Sequence, residues 1–252
     1  MNESAPPGAR LVTVDEAEVT VEKLIAGGDG LARFEGVPLF VPRSAPGDRL
    51  RVRITERRPG YGRAEIVEVL EPGPGRREPP CPFFVRCGGC DLQHLEDPLQ
   101  VELKAAAVVE TLERLGRIEL PGPPEVIAGD PWAYRLRTQL HVDPAKAPPG
   151  AAGGAADLPA VGYFERGSHD LVAVDRCPIL VPELERLLPE LPRTLAEAAE
   201  GGRPPRRLDL AAGDGGAVTS APVVPGLPHG AVTATVAGFQ LAFDARSFFQ
   251  TH

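Results

Sequence analysis

Cys81-Pro-Phe-Phe-Val-Arg-Cys87-Gly-Gly-Cys90-Asp-Leu-Gln-His94 holds three of the four cysteines of this 252-residue chain. The fourth, Cys177, follows Cys90 after eighty-six intervening residues and is itself followed by Pro178. Met1-Asn-Glu-Ser-Ala-Pro-Pro-Gly8 has neither the basic nor the apolar region of a signal peptide, and no run approaches the roughly 20 apolar residues of a membrane span. The chain is therefore expected in the cytoplasm, where clustered thiols stay reduced and more often mean metal than disulfide. Structural zinc usually draws two close pairs of cysteines, whereas three close ligands plus a remote Cys-Pro is the habit of cubane ligation. The spacing favours a [4Fe–4S] cluster, with tetrahedral zinc and unligated thiols as the alternatives. Gly88 and Gly89 would let the backbone bend around a bulky cluster in conformations other residues resist, and Phe83 and Phe84 would shield it. A radical-SAM site is not expected, because a fourth cysteine is present to close the coordination.

Outward toward the N-terminus lies a run of short β-like segments. Glu18 to Leu24 alternates with period two, Gly27 to Gly30 turns, Leu31 to Phe34 resumes, and Glu35-Gly36 leads into Val37 to Val41. After the turn at Pro46-Gly-Asp48, Arg49-Leu-Arg-Val-Arg-Ile-Thr55 alternates arginine with apolar residues, and Tyr61 to Leu70 supplies a last strand. Five short strands in about sixty residues predict a small closed or nearly closed barrel, which removes exposed sheet edges. Glu71-Pro-Gly-Pro-Gly75 ends this unit as a stiff linker.

Outward toward the C-terminus comes the clearest helix. Asp97 is read as its N-cap, Pro98 as N1, Gln100 as capping-box partner and Gly116 as the stop. Leu99, Leu103, Ala106, Val109 and Leu112 make one apolar stripe that needs a partner. Strands follow at 134–142, 161–164 and 170–174, with a loop from Ala145 to Ala160. A short helix near Pro182–Leu188 is expected to stop at Pro189 and Pro192, followed by hairpins at 207–219 and 232–243. The second unit reads as α+β with a largely antiparallel sheet.

The net charge of −8 argues against indiscriminate affinity for nucleic acid. The balance is uneven, however: residues 1–42 carry seven acids and three bases, while Arg43 to Arg77 carry nine arginines and five acids. Arg51, Arg53 and Arg58 in the barrel and Arg135 in the later strand are candidates for phosphate contacts, against the plainer reading of a solvated charged face. His94 either meets a cluster sulfide or RNA, or packs locally at the helix entry.

Cys81-x5-Cys87-Gly-Gly-Cys90-x-Leu-Gln-His94, Gln100-x3-Lys104 and Cys177-Pro-Ile-Leu180 resemble the bacterial RNA (uracil-5-)methyltransferases, and in particular the iron–sulfur members that modify ribosomal RNA. Tyr134-Arg-Leu-Arg137 and Val161-Gly-Tyr-Phe164 are similar to the family's central domain, and Phe248-Phe-Gln250 to the motif that opens its methyltransferase domain. The resemblance implies a disordered lead-in at 1–10 and an OB-like TRAM barrel for RNA at 11–72. It implies a linker and cluster segment at 73–96, with Cys81, Cys87, Cys90 and Cys177 as the [4Fe–4S] ligands. A helix at 97–117 would pack on the methyltransferase domain, and a central α+β domain would fill 118–247. Residues 248–252 would begin the methyltransferase domain, with Gln250 contacting S-adenosylmethionine. It further implies structured RNA as partner, ribosomal ahead of transfer RNA. All four cysteines are taken as cluster ligands and no Rossmann-like cofactor loop is found, so no catalytic residue is assigned. The expectation is an N-terminal portion lacking its catalytic domain, inactive alone and paired with a separate or downstream one. The alternatives are a standalone RNA-binding protein with a structural cluster and a zinc-bound interaction protein.

Overall fold

The computed structural model describes residues 16–150, 157–199 and 203–247. The chain divides into two compact units, one of residues 1–78 and 91–126, the other of residues 79–90 and 127–252. The division falls inside the quoted stretch: Cys81, Cys87 and Cys90 belong to the second unit, and Leu92, Gln93 and His94 to the first.

In the first unit, β1 (Glu16–Leu24), β2 (Gly30–Phe34), β3 (Val37–Val41), β4 (Arg49–Arg58) and β5 (Tyr61–Glu71) close a barrel in the order β1-β2-β3-β5-β4. The period-two alternation fixes which side faces in: Leu50, Val52 and Ile54 of β4 are buried while Arg51 and Arg53 project outward. Closure comes from the parallel pairing of β3 with β5 and the antiparallel pairing of β1 with β4. Asp48, fully buried, accepts hydrogen bonds from the Ala45 amide at 2.6 Å and the Gly73 amide at 2.8 Å, and forms an ion pair with Arg76. This carboxylate ties the β3–β4 turn to the segment after β5.

The helix α1 spans Asp97–Arg114 with Pro98 in its first turn, as read from the sequence. The expected capping box does not form. Glu96 takes the N-cap position, the Asp97 carboxylate accepts from the Arg77 guanidinium, and Gln100 Nε2 donates to the Leu95 carbonyl at 3.0 Å. Arg77, a strong bidentate partner, outcompetes the backbone amides for Asp97. Leu99 and Leu103 pack on a small cluster of Leu24, Ala45 and Leu95, and Lys23 pairs with Glu110 at 2.6 Å. No residue of α1 is buried; Leu99, Leu103, Val109 and Leu112 are half-buried and Ala106 is exposed, so the stripe is covered only in part.

In the second unit, β6 (Arg137–Asp143), β7 (Ala160–Phe164), β8 (Leu171–Ala173), β9 (Arg207–Ala212) and β10 (Val218–Ala221) form an antiparallel sheet in the order β10-β9-β6-β7-β8. One face buries Leu140, Val142, Val161, Leu208 and Leu210 against α2 (Pro182–Glu185) and α3 (Leu191–Ala198). Pro192 therefore starts a second helix rather than stopping the first. Proline is favourable in a first turn, where its missing N–H has no partner to lose. The hairpin β11 (Val232–Val236) and β12 (Phe239–Phe243) packs through Val232, Ala234 and Phe243 on Ala211 and Ala221. Among the described residues no helix is long and apolar enough to cross a membrane. The lead-in at 1–10 and Gln250 lie outside the described residues.

Candidate metal centre and nucleic-acid face

The cysteine loop is wound tightly, with the Phe84 amide donating to the Cys81 carbonyl at 3.1 Å and the Cys87 amide to the Phe83 carbonyl at 2.7 Å. It is then fastened to the end of β7. The Gly88 amide donates to the Phe164 carbonyl at 3.0 Å, the Arg166 amide to the Arg86 carbonyl at 3.3 Å, and Cys87 bridges Glu165. The glycines serve a purpose other than the one expected: neither Gly88 nor Gly89 has a positive φ. A Cβ at Gly88 would stand 2.9 Å from the Phe164 carbonyl oxygen, so close approach to β7 is what requires glycine there. The Gly89 amide points at Cys87 Sγ at 3.4 Å, a contact that favours negative charge on sulfur.

Cys177 enters from the loop between β8 and α2, its amide donating to Glu185 Oε1 at 3.1 Å. All four cysteines are half-buried and lie in the second unit. Burial first, then the charge of Cys90, pushes the Cys177 thiol up to about 12, while the Tyr163 hydroxyl, 4.0 Å from its sulfur, works in the opposite direction. The Cys81 thiol is also raised, chiefly by burial. Cys90 and Cys81 thus both act on Cys177 across space, and the loop and the remote cysteine form one electrostatic cluster. Buried thiols of this kind ionise when a cation or cluster replaces the lost solvation. Among the described residues no three His, Cys, Asp or Glu side chains stand close enough together to hold one metal ion. A tetrahedral zinc would need its sulfurs about 3.8 Å apart, given Zn–S bonds of about 2.3 Å. A cubane spreads its four ligands over four irons, and four thiols are the donor number that either group takes.

His94 packs locally. It is 1 % exposed in the barrel unit, with Nε2 3.1 Å from the Ser44 carbonyl oxygen, and burial lowers its pKa to about 4.

The barrel arginines are ion-paired. Arg51 pairs with Glu68, Arg53 with Glu16 at 3.5 Å, and Arg58 with Glu56 at 2.6 Å, while Arg49 holds both Glu18 and Glu71. The register explains it: β4 lies between β1, which places Glu16 and Glu18 opposite Arg53 and Arg51, and β5, which places Glu65, Glu68 and Glu71 opposite Arg53, Arg51 and Arg49. The stripe is a ladder of compensated charge rather than a bare cationic track. Arg135, exposed in the second unit, donates to the Arg137 carbonyl at 3.1 Å.

A cluster that the strand pattern did not single out lies on the sheet face opposite the core of the second unit. The His141 ring stacks on Phe164 with centroids 3.7 Å apart, and His169 meets Phe164 edge-on at 5.1 Å. Gly162 is the register partner of His141, and a Cβ there would meet the Val172 carbonyl of β8. Next to it, Arg207 and Arg137 both donate to Asp209, at 2.9 Å each. A cleft of about 490 Å³ lies nearby in the chain fold, lined by Phe83, Arg86, Lys146 and the β8 residues Leu171 and Ala173.

A closed five-stranded barrel followed by a cysteine-bearing antiparallel unit defines a class before any particular family: residues 12–67 match the TRAM domain, so this is a TRAM-domain protein. Sequence relatives narrow the class. The chain is 39% identical over 188 residues to the 23S rRNA (uracil(1939)-C(5))-methyltransferase RlmD of Pectobacterium atrosepticum, covering 75% of this chain and 40% of that protein. It is 34% identical over 175 residues to an uncharacterized RNA methyltransferase of Halalkalibacterium halodurans, covering 69% and 36%. The chain belongs to the RNA (uracil-5-)methyltransferase family. It spans about two fifths of the length of these relatives. In fold it is similar to the Pyrococcus abyssi tRNA (uracil-54, C5)-methyltransferase solved with S-adenosyl-L-homocysteine, with a TM-score of 0.63 over 92% of this chain and 61% of that one, at 18% identity.

Proposed function

We propose that this chain is the RNA-binding and [4Fe–4S]-bearing part of an S-adenosylmethionine-dependent RNA (uracil-5-)methyltransferase of the cytoplasm, acting on ribosomal RNA. The observation that carries the cluster assignment is the gathering of Cys81, Cys87, Cys90 and Cys177 in one unit, from one tight loop and one remote Cys-Pro. These four thiolates would hold the cluster, which when bound supplies a cross-link between the loop and the β8–α2 junction. With every iron ligated its role is structural. Ribosomal RNA as target rests on the printed activity of the Pectobacterium relative.

The bond-making residues of this reading lie in the part of the family enzyme with which this chain does not align. From this chain, Gln250 is proposed to reach the methyl donor, on its Phe-Phe-Gln motif alone. The half-covered stripe of α1 is proposed to meet the methyltransferase domain through Ala106, Val109 and Leu112. Arg135 would contact phosphate. Arg51, Arg53 and Arg58 would do so by exchanging their glutamates for phosphate, which favours a salt-sensitive, weak contribution.

Anaerobic purification tests the cluster. Absorbance near 400 nm with about four iron and four sulfide per chain is the expected result, and stoichiometric zinc without iron overturns it. Titration with a ribosomal RNA fragment and a transfer RNA across a salt series tests the target. Equal affinity for both would remove the ribosomal assignment.

A further inference from the structure

We propose that the part of this sheet face not covered by the β11–β12 hairpin is a stacking platform for an unpaired base of RNA, built from His141 and Phe164, with His169 at its edge and Arg207 as the adjacent phosphate contact. This rests on the reading that the chain binds RNA and goes beyond it by naming the surface and the mode of contact. Bases exposed in single-stranded loops are held by stacking on aromatic rings beside cations, and an open β-sheet is a common support for such rings.

Three observations converge. First, two aromatic rings are already stacked at 3.7 Å and 20°, and they are only half-buried, with His169 exposed beside them. Rings that serve a core lie on the other face of this sheet, where Tyr163 is bonded to Thr138 at 2.7 Å and faces Cys177. Second, a cation stands beside the rings: Arg207, with its side chain 54 % exposed, pairs with Asp209, a carboxylate it shares with Arg137. Third, the platform is braced: the Phe164 carbonyl accepts the Gly88 amide, so the cysteine loop fixes the end of the strand that presents the ring. Burial and the nearby Arg207 also depress the His141 pKa, keeping that ring neutral for stacking near pH 7.

The test uses the full chain and a short oligoribonucleotide carrying 2-aminopurine, whose fluorescence is quenched on stacking. The wild type is expected to bind with quenching. Phe164→Leu, which keeps volume and removes the ring, is expected to lose the quench and about tenfold in affinity, the weakening for one stacked base. Arg207→Gln lies on an exposed side chain and guards against a folding artefact. It is expected to leave the quench in place and to make the log–log salt slope shallower by about 0.7. A wild type that binds without quenching, or variants that bind and quench as it does, overturns the platform while leaving RNA binding intact. A wild type with no affinity for any RNA overturns the RNA-binding reading, and the platform with it.

Discussion

Gly162→Ala is the substitution that most directly tests how the second unit is put together. Gly162 lies in β7 between β6 and β8, and its backbone is ordinary, so the argument is steric rather than conformational. A Cβ added there would stand 1.9 Å from the carbonyl oxygen of Val172 in the neighbouring strand. Side-chain β-carbons essentially never come within 3.0 Å of such an atom, so β8 must move away by about 1 Å. Ladder hydrogen bonds near 2.9 Å would then open toward 4 Å, beyond useful range. β7 and β8 share three register pairs, Gly162 with Ala173, Tyr163 with Val172 and Phe164 with Leu171. Losing two or three bonds at about 1 kcal/mol each, with some overpacking strain, destabilises the unit by roughly 3 kcal/mol.

The chain has one tryptophan, Trp132, and it belongs to the second unit, so its fluorescence reports that unit alone during urea unfolding. The expected result is a midpoint shifted by roughly 3 kcal/mol divided by the m-value, accompanied by reduced iron retention, because Phe164 anchors the cysteine loop. A Trp132 transition within 1 kcal/mol of wild type would refute the packing argument.

Other consequences can be measured separately. Stability of the barrel unit should be retained above pH 6.5 and lost as pH falls toward 4: the unfolded His94 protonates near 6.5, while the folded one resists until about 4. The full loss is roughly 3 kcal/mol, read by urea unfolding followed by circular dichroism, and His94→Gln should flatten the pH dependence. Asp48→Ala leaves the Arg76 guanidinium and two buried amides without their acceptor, and should cost about 3 kcal/mol in the same assay. Arg51→Gln breaks an exposed pair with Glu68 and should change stability by less than about 1 kcal/mol. Cys177→Ala should lower iron content and shift the Trp132 transition to lower urea, whereas the barrel transition should stay in place.

The barrel was legible because its strands alternate strictly: buried Leu50, Val52 and Ile54 against outward Arg51 and Arg53 is a one-dimensional pattern. The cysteine motif was legible for a similar reason, three thiols sharing ten residues. What the pattern hid was everything set by register. Nothing local to Arg51 says that β1 and β5 bring glutamates against it, since those partners come from strands more than ten residues away in sequence. The N-cap at Asp97 failed in the same way, because Arg77 reaches it from twenty residues upstream. The stacked pair of His141 and Phe164 depends on the register of β6 with β7, and that pairing spans a loop whose length conceals the match. A polar-side histidine two places after Gln139 was the available signal.

The proposed cluster would have a mechanical role in the second unit. The loop from Cys81 to Cys90 is short of secondary structure; it meets the end of β7 through the Gly88 and Arg166 amide bonds, which together make the Cys87–Glu165 bridge, and through an Arg86–Glu165 ion pair at 3.4 Å. Phe84 is buried, and Phe83 and Cys87 pack against the core of the second unit. Two backbone bonds of about 1 kcal/mol each offset only part of the ordering cost of ten residues. A cluster held by the four thiolates, as proposed, would add a tie from the loop to Cys177 and fix Phe164 from the loop side. Under the proposed RNA-binding reading, rigidity would matter most at the surface that grips a base, and β7 is where the cysteine loop and the aromatic face meet.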